Sequence, residues 1–406
     1  MPPIFVDHNP APGLNRKTMS IPDPVELAQA LIRRPSVTPA DAGALDVLET
    51  VLKSLGFACY RLRFEAPRTA PIDNLYARIG TEAPHFCFAG HTDVVPPGDA
   101  KLWRADPFAA EIRDGVLYGR GAADMKSGIA AFATAAARHL EKGDLKGSIS
   151  FLITGDEEGV AINGTKAVLE WLRDKGERLD HCLVGEPTST ARAGDTIKIG
   201  RRGSMKIAFT VRGVQGHTAY PQNALNPIPV LARLVTWLDA EPLDAGTDHF
   251  EPSTLVFTTF DVGNPASNVS PAEARAACNI RFNDLHTTES LLRRAEQIAG
   301  EVAHETGSEI AIESSVSGVS FLTKPGAYTE LLARAIARVT NMTPEFSTGG
   351  GTSDARFIKD YCPVAEVGLP GSTMHKVDEC VPVDEINRLA DIYAAILESY
   401  FSAPPQ

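Results

Sequence analysis

The chain has 406 residues, a formal net charge of −12 at pH 7, and a composition that is 43% hydrophobic and 22% charged. This length leaves room for two domains of ordinary size, each with its own core. The acidic balance argues against sequence-independent binding to nucleic acid or anionic lipid, since both need a basic surface. Because no apolar run is long enough to span a bilayer, we expect a globular protein whose partners are neither nucleic acid nor membrane.

The first segment of the chain and the cysteines add two further expectations. Residues 1–18 carry four prolines and no helical periodicity, which predicts a flexible extension. The six cysteines are scattered without a CxxC pair, and no signal peptide is apparent. Such usage is typical of reduced thiols rather than of a disulfide framework or a thiolate zinc site, so the expected location is cytoplasmic.

Helices and strands alternate over residues 19–202. A capping box at residues 23–26 predicts the start of the first helix. The hydrophobic periodicities predict helices at 23–34, 45–56, 126–141 and 164–175, strands at 57–64, 74–79, 85–89, 148–154 and 180–184, and a hairpin turn at 114–115. This alternation indicates an α/β domain with a largely parallel sheet.

The pattern changes near Gly203. Residues 203–316 predict strand 204–212, helix 226–239, strand 254–262, strand 273–282, helix 288–305 and strand 308–315, which is the βαββαβ order of a ferredoxin-like module. Over residues 317–406 the α/β pattern returns, with helix 327–340, strand 363–367 and helix 383–400. We therefore expect an α+β domain inserted into an α/β domain that is made of residues 19–202 and 317–406.

Three consecutive carboxylates, Asp156, Glu157 and Glu158, stand between two glycines directly after the apolar strand 148–154. The carboxyl ends of parallel strands are where open α/β sheets bind their ligands. Two adjacent glutamates point in different directions, so one could bind a metal while the other stays free to move protons. The competing interpretation is a solvated acidic turn, because most runs of charge lie in solvent.

Other side chains of the metal-ligand type occupy strand ends and loops of the same predicted domain. They are His91, Asp93, Asp124, Glu186 and His375. Together with the two glutamates they form a nitrogen and oxygen donor set that suits Zn²⁺ or another first-row divalent ion. Any one of them alone is more often a satisfied core histidine, a surface histidine, or a carboxylate that caps a turn.

The order of these motifs resembles the two-zinc aminoacylase/carboxypeptidase family. The motifs are GHTDVV at 90–95, GAADMK at 121–126, DEE at 156–158, GEPT at 185–188 and MH at 374–375. The resemblance covers the chain from about Asp23 to the C-terminus. It implies a zinc-exopeptidase-like α/β catalytic domain with a mostly parallel sheet, and a ferredoxin-like α+β insertion that serves as a dimerisation domain.

The resemblance also implies roles for individual residues. It implies two Zn²⁺ per subunit, with Co²⁺ able to substitute, and assigns five ligands: Asp124 bridges the metals, His91 and Glu186 complete one site, and Glu158 and His375 complete the other. Glu157 is then the general base, left off the metals to act on water. Asp93 would accept a hydrogen bond from the His91 imidazole and fix its tautomer.

A second group of motifs resembles the desuccinylase branch of that family. These motifs are IKIGRRGS at 197–204, GHTAYP at 216–221, SNV at 267–269, NIRF at 279–282 and GGTSDARF at 350–357. They imply a dianionic N-acyl amino acid as the small-molecule substrate, and its carboxylates need cationic or N–H-rich partners at both ends. The implied substrate contacts are Arg202, Tyr220, Asn268, Arg281, Gly350, Gly351, Thr352 and Ser353; for Arg202 the alternative is a solvated strand arginine.

The inserted domain carries the remaining implied features. By resemblance, His217 reaches the active site of a partner subunit and stabilises the oxyanion of the tetrahedral intermediate, within a homodimer formed through that domain. Ser267 departs from the family pattern, where an asparagine is expected. Two other functions stay open: an acetylornithine deacetylase or related N-acyl-amino-acid hydrolase, and a non-catalytic metal-binding or regulatory homologue. The second predicts a missing base or ligand, yet each one is present.

Overall fold

The computed structural model describes residues 20–143 and 145–403, so the predicted extension over residues 1–18 lies outside the described residues. The chain divides into two compact units. The first unit comprises the described residues up to Ile199 together with Thr323–Ser347 and the residues from Ser353 onward. The second unit comprises Gly200–Leu322 and the short segment Thr348–Thr352. Each unit has its own sheet and core.

Within the described residues, the helices in chain order are α1 (Pro24–Ile32), α2 (Ala44–Ser54), α3 (Ser127–Glu141), α4 (Thr165–Asp174), α5 (Pro227–Asp239), α6 (Thr288–Thr306), α7 (Ala327–Thr340), α8 (Ala355–Ile358) and α9 (Val383–Ser402). The strands are β1 (Ala58–Phe64), β2 (Ile72–Ile79), β3 (His85–His91), β4 (Ile112–Arg113), β5 (Val116–Tyr118), β6 (Ser148–Thr154), β7 (His181–Val184), β8 (Thr196–Lys198), β9 (Gly200–Arg201), β10 (Gly203–Arg212), β11 (Gly216–His217), β12 (Thr254–Asp261), β13 (Val269–Ser270), β14 (Glu273–Phe282), β15 (Glu309–Gly318), β16 (Phe321–Leu322), β17 (Glu345–Ser347), β18 (Val364–Glu366) and β19 (Cys380–Pro382).

Local sequence explains where these elements begin and turn. The Asp23 carboxylate accepts hydrogen bonds at 2.9 Å from the N–H groups of Val25 and Glu26, which caps α1 as its sequence predicts. Asp114 and Gly115 both have positive φ and close the β4–β5 hairpin. Each predicted helix and strand is present, whereas strands of two or three residues such as β8 and β17 were not predicted. Such short strands show too few residues for a periodic pattern.

The first unit is built on an eight-stranded sheet in the order β1-β2-β6-β3-β7-β18-β8-β17. Its centre, from β6 to β18, is parallel, and β3 and β6 are buried along their whole length. This burial on both faces explains their unbroken apolar sequence. The mostly parallel α/β domain expected from the sequence is therefore confirmed. Because β6 and β7 flank β3 in parallel, the residues that follow these three strands emerge at the same edge.

Aromatic and small residues fill the core of the first unit. The Phe88 ring of β3 stacks on Phe132 of α3 with centroids 4.2 Å apart, and Phe151 of β6 meets Phe132 edge-on at 5.1 Å. The remaining inward positions of α3 are mostly alanines, and all of them are buried. Small side chains let α3 approach the sheet and the closing helix α9 closely. The core thereby holds β3 and β6, whose ends carry the candidate ligands.

The second unit has the ferredoxin-like arrangement expected from the sequence. Its four-stranded sheet has the order β12-β14-β10-β15, and its strand pairs are antiparallel. Alternate residues of β10, including Ile207 and Phe209, face a core shared with Leu234 of α5 and Leu291 of α6. This period-two pattern is the one that predicted the strand. In neither unit does any helix of the described chain combine the length and the apolar character needed to cross a bilayer.

Close packing at a strand end gives a stability prediction. A Cβ atom added to Gly185, just past β7, would lie 2.5 Å from Cζ of Phe88 and 2.7 Å from Cε of Met125. We expect Gly185→Ala to lower the free energy of unfolding by roughly 1–3 kcal/mol, because overpacking forces its neighbours to move. Calorimetric unfolding of the variant measures this loss.

The control for this prediction is Gly300, an exposed residue inside α6. Nothing lies within 4 Å of an added Cβ there. Gly300→Ala is expected to raise stability by roughly 0.5–1 kcal/mol, because alanine loses less backbone entropy than glycine in a helix. Equal effects of the two substitutions would contradict the packing argument.

Candidate metal centre

Neighbouring strand ends and two loops bring the predicted ligands together in the first unit. His91 is the last residue of β3, the Glu157–Glu158 turn follows β6, and Glu186 follows β7. Asp124 lies in the irregular segment Ala122–Lys126 before α3, where its φ of −123° and ψ of 97° are not helical, and the peptide bond after it is cis. His375 comes from the loop before β19, with φ at 61°.

These side chains form two donor groups that share Asp124. In the first group, His91 Nε2 lies 3.1 Å from Asp124 Oδ1 and 3.6 Å from Glu186 Oε1. In the second, His375 Nε2 lies 3.2 Å from Asp124 Oδ2 and 2.8 Å from Glu158 Oε1. Asp124 thus has one oxygen near each histidine, so it is the residue that would be shared by two cations held in these groups.

Glu157 belongs to a third group of possible metal ligands, His91, Glu157 and Glu158, and not to the two groups that share Asp124. One of its carboxylate oxygens lies within 4.8 Å of a His91 nitrogen and of a Glu158 oxygen. The two glutamates therefore point to the same small region but occupy different positions in it. With cations held by the two groups that share Asp124, the Glu157 carboxylate would remain available to exchange protons, as a general base must be.

The donor atoms are of the kind that bind divalent cations. An unpaired oxygen of Glu186 shows that the residues present fit such an ion. Glu186 Oε1 is buried and has no hydrogen-bond partner among the described residues. Leaving a buried carboxylate oxygen unpaired costs more than a lost neutral hydrogen bond, so native structures rarely do so. This oxygen points to the nitrogen of His91, within a histidine and carboxylate set of the kind that zinc and related ions prefer.

The crowded negative charge of these side chains also favours a bound cation. Burial raises the pKa of Glu157 and of Glu186 well above the ordinary range, and neighbouring carboxylates including Asp124 raise both further against the opposing effect of His91. Hydrogen bonds with Asp124 and Glu158 raise the pKa of His375 to about 10. Without a cation, protons must offset the crowded negative charge. A bound dication offsets this charge in their place.

Asp93 contacts the site differently from the expectation. His91 Nδ1 lies 2.9 Å from the backbone carbonyl oxygen of Asp93 and 3.6 Å from its carboxylate, so the imidazole N–H is positioned for the carbonyl. The carboxylate instead accepts hydrogen bonds from the N–H groups of Glu157 (3.3 Å) and Glu158 (3.1 Å) and from the Thr38 hydroxyl (2.7 Å). Asp93 therefore holds the turn that presents both glutamates.

Sequence reasoning missed a buried pair behind these loops, Arg120 and Glu379. The Glu379 carboxylate accepts hydrogen bonds from Arg120 and from the backbone of the Asp124 segment. Neither residue belongs to a motif with ligand-type spacing, and 258 positions separate Glu379 from Gly121. The signal available in the sequence was a glutamate directly before the apolar strand β19 and close to His375.

Three residues predicted to serve the substrate or the oxyanion lie together in the second unit. β11 pairs with β13, so that His217 faces Val269, and the N–H of Thr218 donates to the Asn268 carbonyl oxygen at 3.0 Å. The rings of His217 and Tyr220 have centroids 5.9 Å apart. The N–H of Ala219 donates to His217 Nδ1 at 3.0 Å. Because Nδ1 accepts, the neutral ring carries its proton on Nε2, which becomes a donor.

The glycine-rich loop of the second unit is contacted by Arg201. Its Nη1 lies 3.4 Å from the Gly349 carbonyl oxygen and 3.2 Å from that of Gly351, and an added Cβ on Gly350 would come within 2.7 Å of it. Arg202, the arginine chosen from the sequence, reaches the Pro252 carbonyl oxygen at 3.4 Å instead. Sequence pattern alone could not tell which of two consecutive arginines faces the loop.

The other predicted substrate contacts differ in their surroundings. Burial lowers the pKa of Arg281, and the nearby Arg202 cation lowers it further, so the two guanidinium groups concentrate positive charge in the second unit. Thr352 belongs to the loop segment of that unit. Ser353 lies in the first unit, fully buried, and its hydroxyl donates to Glu366 Oε1 at 2.5 Å. Its side chain therefore offers no exposed atom to a substrate in this structure.

Known proteins resemble this chain in sequence and in fold. The profile of peptidase family M20/M25/M40 matches residues 87–399. A succinyl-diaminopimelate desuccinylase of Rhodospirillum centenum is 58% identical over 382 residues, covering 94% of this chain and 98% of the relative. The protein of the same name from Parvibaculum lavamentivorans is 57% identical over 380 residues, covering 94% and 96%.

Solved structures share the fold at lower identity. Aminopeptidase PepT from Bacillus cereus superimposes with a TM-score of 0.79 at 22% identity, covering 96% of this chain and 100% of that one. The metallo-carboxypeptidase Sso-CP2 from Sulfolobus solfataricus gives 0.74 at 17% identity, covering 94% and 100%. At such identities the likeness concerns the fold alone. The matched profile and the close relatives together establish that this chain belongs to peptidase family M20/M25/M40.

Proposed function

We propose that this protein is a metal-dependent amide hydrolase that cleaves N-succinyl-LL-2,6-diaminopimelate to succinate and LL-2,6-diaminopimelate, a step of diaminopimelate and lysine biosynthesis. The observation that carries the reaction type is the position of Glu157 beside two donor groups that share Asp124. The substrate follows from relatives named succinyl-diaminopimelate desuccinylase, which are 57–58% identical over 94% of the chain.

The two cations of this proposal are Zn²⁺. His91, Asp124 and Glu186 would hold one, and Asp124, Glu158 and His375 the other. Two imidazoles with carboxylates suit zinc, and Co²⁺ accepts the same ligands and can replace it. When bound, such ions polarise the scissile carbonyl group and acidify the attacking water.

Glu157 moves the proton of the reaction. One of its carboxylate oxygens takes a proton from the attacking water while the water oxygen bonds to the amide carbon. The same oxygen then gives that proton to the departing nitrogen as the C–N bond breaks, so that succinate and the free amine leave. The hydrogen bonds from Asp93 hold the backbone of the turn and limit the positions Glu157 can take.

Residues of the second unit complete the proposal. His217, with its proton on Nε2, would donate to the oxyanion in the active site of a partner subunit. Arg202, Arg281, Tyr220, Asn268 and the loop residues 350–352 would bind the two anionic ends of the substrate, and Ser353, of the first unit, could take part only through its backbone. The homodimer would form through this unit, and its edge strand β12 exposes 56% of Val256 and 48% of Phe260 in support of such an interface. We also place the enzyme in the cytoplasm, where its six free cysteines stay reduced.

A two-substrate assay tests the proposed function. Purified protein with added Zn²⁺ is offered N-succinyl-LL-2,6-diaminopimelate or N-acetylornithine, and the released amine is measured. We expect kcat/KM at least about 10³-fold higher for the succinylated substrate, because a site that pairs a second carboxylate leaves buried polar groups unpaired when that carboxylate is missing. Removal of metal by a chelator should abolish turnover, and added Zn²⁺ should restore it.

Two outcomes would contradict the proposal. Preferential turnover of N-acetylornithine would assign the chain to the deacetylases of the family. Undiminished turnover after complete metal removal would show that the donor groups serve some purpose other than catalysis.

A further inference from the structure

A buried ion pair connects the two loops that present Asp124 and His375. Arg120 Nη1 lies 2.5 Å from Glu379 Oε2, and the two side chains are only 3% and 0% exposed. Burying two charges costs more free energy than burying apolar side chains of similar volume, unless further hydrogen bonds satisfy them. The partners of each side chain therefore indicate what the pair is for.

Glu379 satisfies its carboxylate almost entirely with the segment that carries Asp124. Its Oε2 accepts from the N–H of Gly121 at 3.2 Å, and its Oε1 accepts from the N–H groups of Ala123 at 2.9 Å and Asp124 at 3.1 Å. The backbone at Asp124 is not helical, so these N–H groups have no regular ladder to join. One carboxylate thus fixes the main chain of the residue that belongs to both donor groups.

Arg120 reaches the other loop. Its Nη2 donates to the His375 carbonyl oxygen at 3.4 Å, and its Nη1 donates to that of Lys376 at 3.3 Å. His375 has the left-handed φ of 61°, a conformation that a residue with a side chain rarely adopts without support. The Trp103 ring, 5.3 Å from the guanidinium carbon, covers Arg120 on another side.

We propose that Arg120 and Glu379 are a positioning pair that sets Asp124 and His375 at the spacing a cation requires. This inference rests on the metal binding of the proposed function. In the proposed function, neither Arg120 nor Glu379 is a metal ligand. Partners that orient metal ligands typically change metal affinity by 10–100-fold when they are replaced. Loss of the pair should therefore weaken binding most at the group formed by Asp124, Glu158 and His375, because both supported loops supply ligands to that group, and should do so without loss of the fold.

The test is a Zn²⁺ titration of metal-free protein against a chromophoric chelator. Glu379→Gln should weaken Zn²⁺ binding at the group formed by Asp124, Glu158 and His375 by about 10–100-fold, because the amide nitrogen cannot accept from the donors that surround Glu379. Arg120→Lys is the second variant, and it should weaken the same site because a compact ammonium cannot span the carboxylate and the two carbonyl groups as the two terminal nitrogens of the guanidinium do. Substrate is absent from both measurements.

A matched control exists in the same unit. Arg78 and Glu177 form another largely buried ion pair, and Tyr76 donates to Glu177 at 3.0 Å. Arg78 lies opposite Ser150, four residues before the end of β6, or about 13 Å from the strand end that carries the ligands. We expect Glu177→Gln to lower the melting temperature while both Zn²⁺ affinities stay unchanged.

The outcomes separate this inference from the proposed function. A wild-type chain that binds no Zn²⁺ refutes the metal site itself. Two tight sites in the wild type, with unchanged affinities in Glu379→Gln and in Arg120→Lys, overturn the positioning role alone. Equal weakening by Glu177→Gln overturns it as well, since affinity would then follow general stability. If Glu379→Gln does not fold, Arg120→Lys decides.

Discussion

Glu157→Gln is expected to lower kcat by about 10²–10⁴-fold while the protein retains its metal, because glutamine cannot accept the proton of water yet keeps the shape of the side chain. Glu157 is not a member of either group that shares Asp124, so cations held by those two groups would not need its charge. Burial raises the pKa of this carboxylate well above the ordinary range, and the neighbouring carboxylates raise it further. Steady-state kinetics with metal analysis on the same sample measure both effects.

The control for Glu157 is an exposed glutamate of the same unit. Glu170 lies on the solvent side of α4, and Glu170→Gln should leave kcat and metal content unchanged. If Glu157→Gln kept wild-type turnover, another group would have to be the base. If it lost metal together with activity, Glu157 would be a ligand and the assignment of the two glutamates would have to be revised.

Asp124→Asn is expected to have the widest effect on metal binding. Asp124 directs Oδ1 to His91 and Oδ2 to His375, and an asparagine would keep only one acceptor oxygen. One donor group therefore loses its Asp124 ligand and the other keeps only a neutral carbonyl oxygen, so turnover should fall at least as far as in Glu157→Gln. Zn²⁺ should no longer raise the melting temperature, whereas a cation at 100 times its dissociation constant stabilises a native protein by roughly 2.7 kcal/mol.

His375→Ala distinguishes the two donor groups. It removes a ligand from one group and leaves His91, Asp124 and Glu186 complete, so we expect about one metal per chain to remain. Elemental analysis after dialysis measures this difference. The exposed His304 at the end of α6 gives the control, and His304→Ala should bind as much metal as the wild type.

Full metal occupancy in Asp124→Asn would argue against a shared bridging carboxylate.

The sequence predicted the long elements well for a physical reason. α9 and β6 carry several residues of one periodicity, and the βαββαβ order from β10 to β15 follows from such periodic segments alone. The short strands β8 and β17 form only because neighbouring strands supply their hydrogen-bond partners. No local sequence pattern predicts these two strands, because a segment of two or three residues is too short to show a hydrophobic period. The inclusion of Thr348–Thr352 in the second unit is likewise a result of long-range contacts.

The candidate site was likewise predictable in part from the sequence. His91, Asp124, Glu158, Glu186 and His375 could be predicted as one cluster because each stands in a recognisable motif at a strand end or loop. The structure brings them together in two groups of three that share Asp124, and the possible ligand atoms of each group lie within 4.8 Å of one another. Their individual roles remain predictions until metal and kinetic measurements on the variants are made.

By itself, the sequence determined the fold class and the family and predicted the candidate donor side chains, because these depend on residue type, periodicity and motif order. Only the tertiary structure decided that the Asp93 carboxylate holds the glutamate turn, that Arg201 rather than Arg202 contacts the glycine-rich loop, and that Glu379 supports Asp124. The reason is physical. Which way a side chain points, and which distant backbone N–H it meets, depends on the packing of segments that lie far apart in the chain.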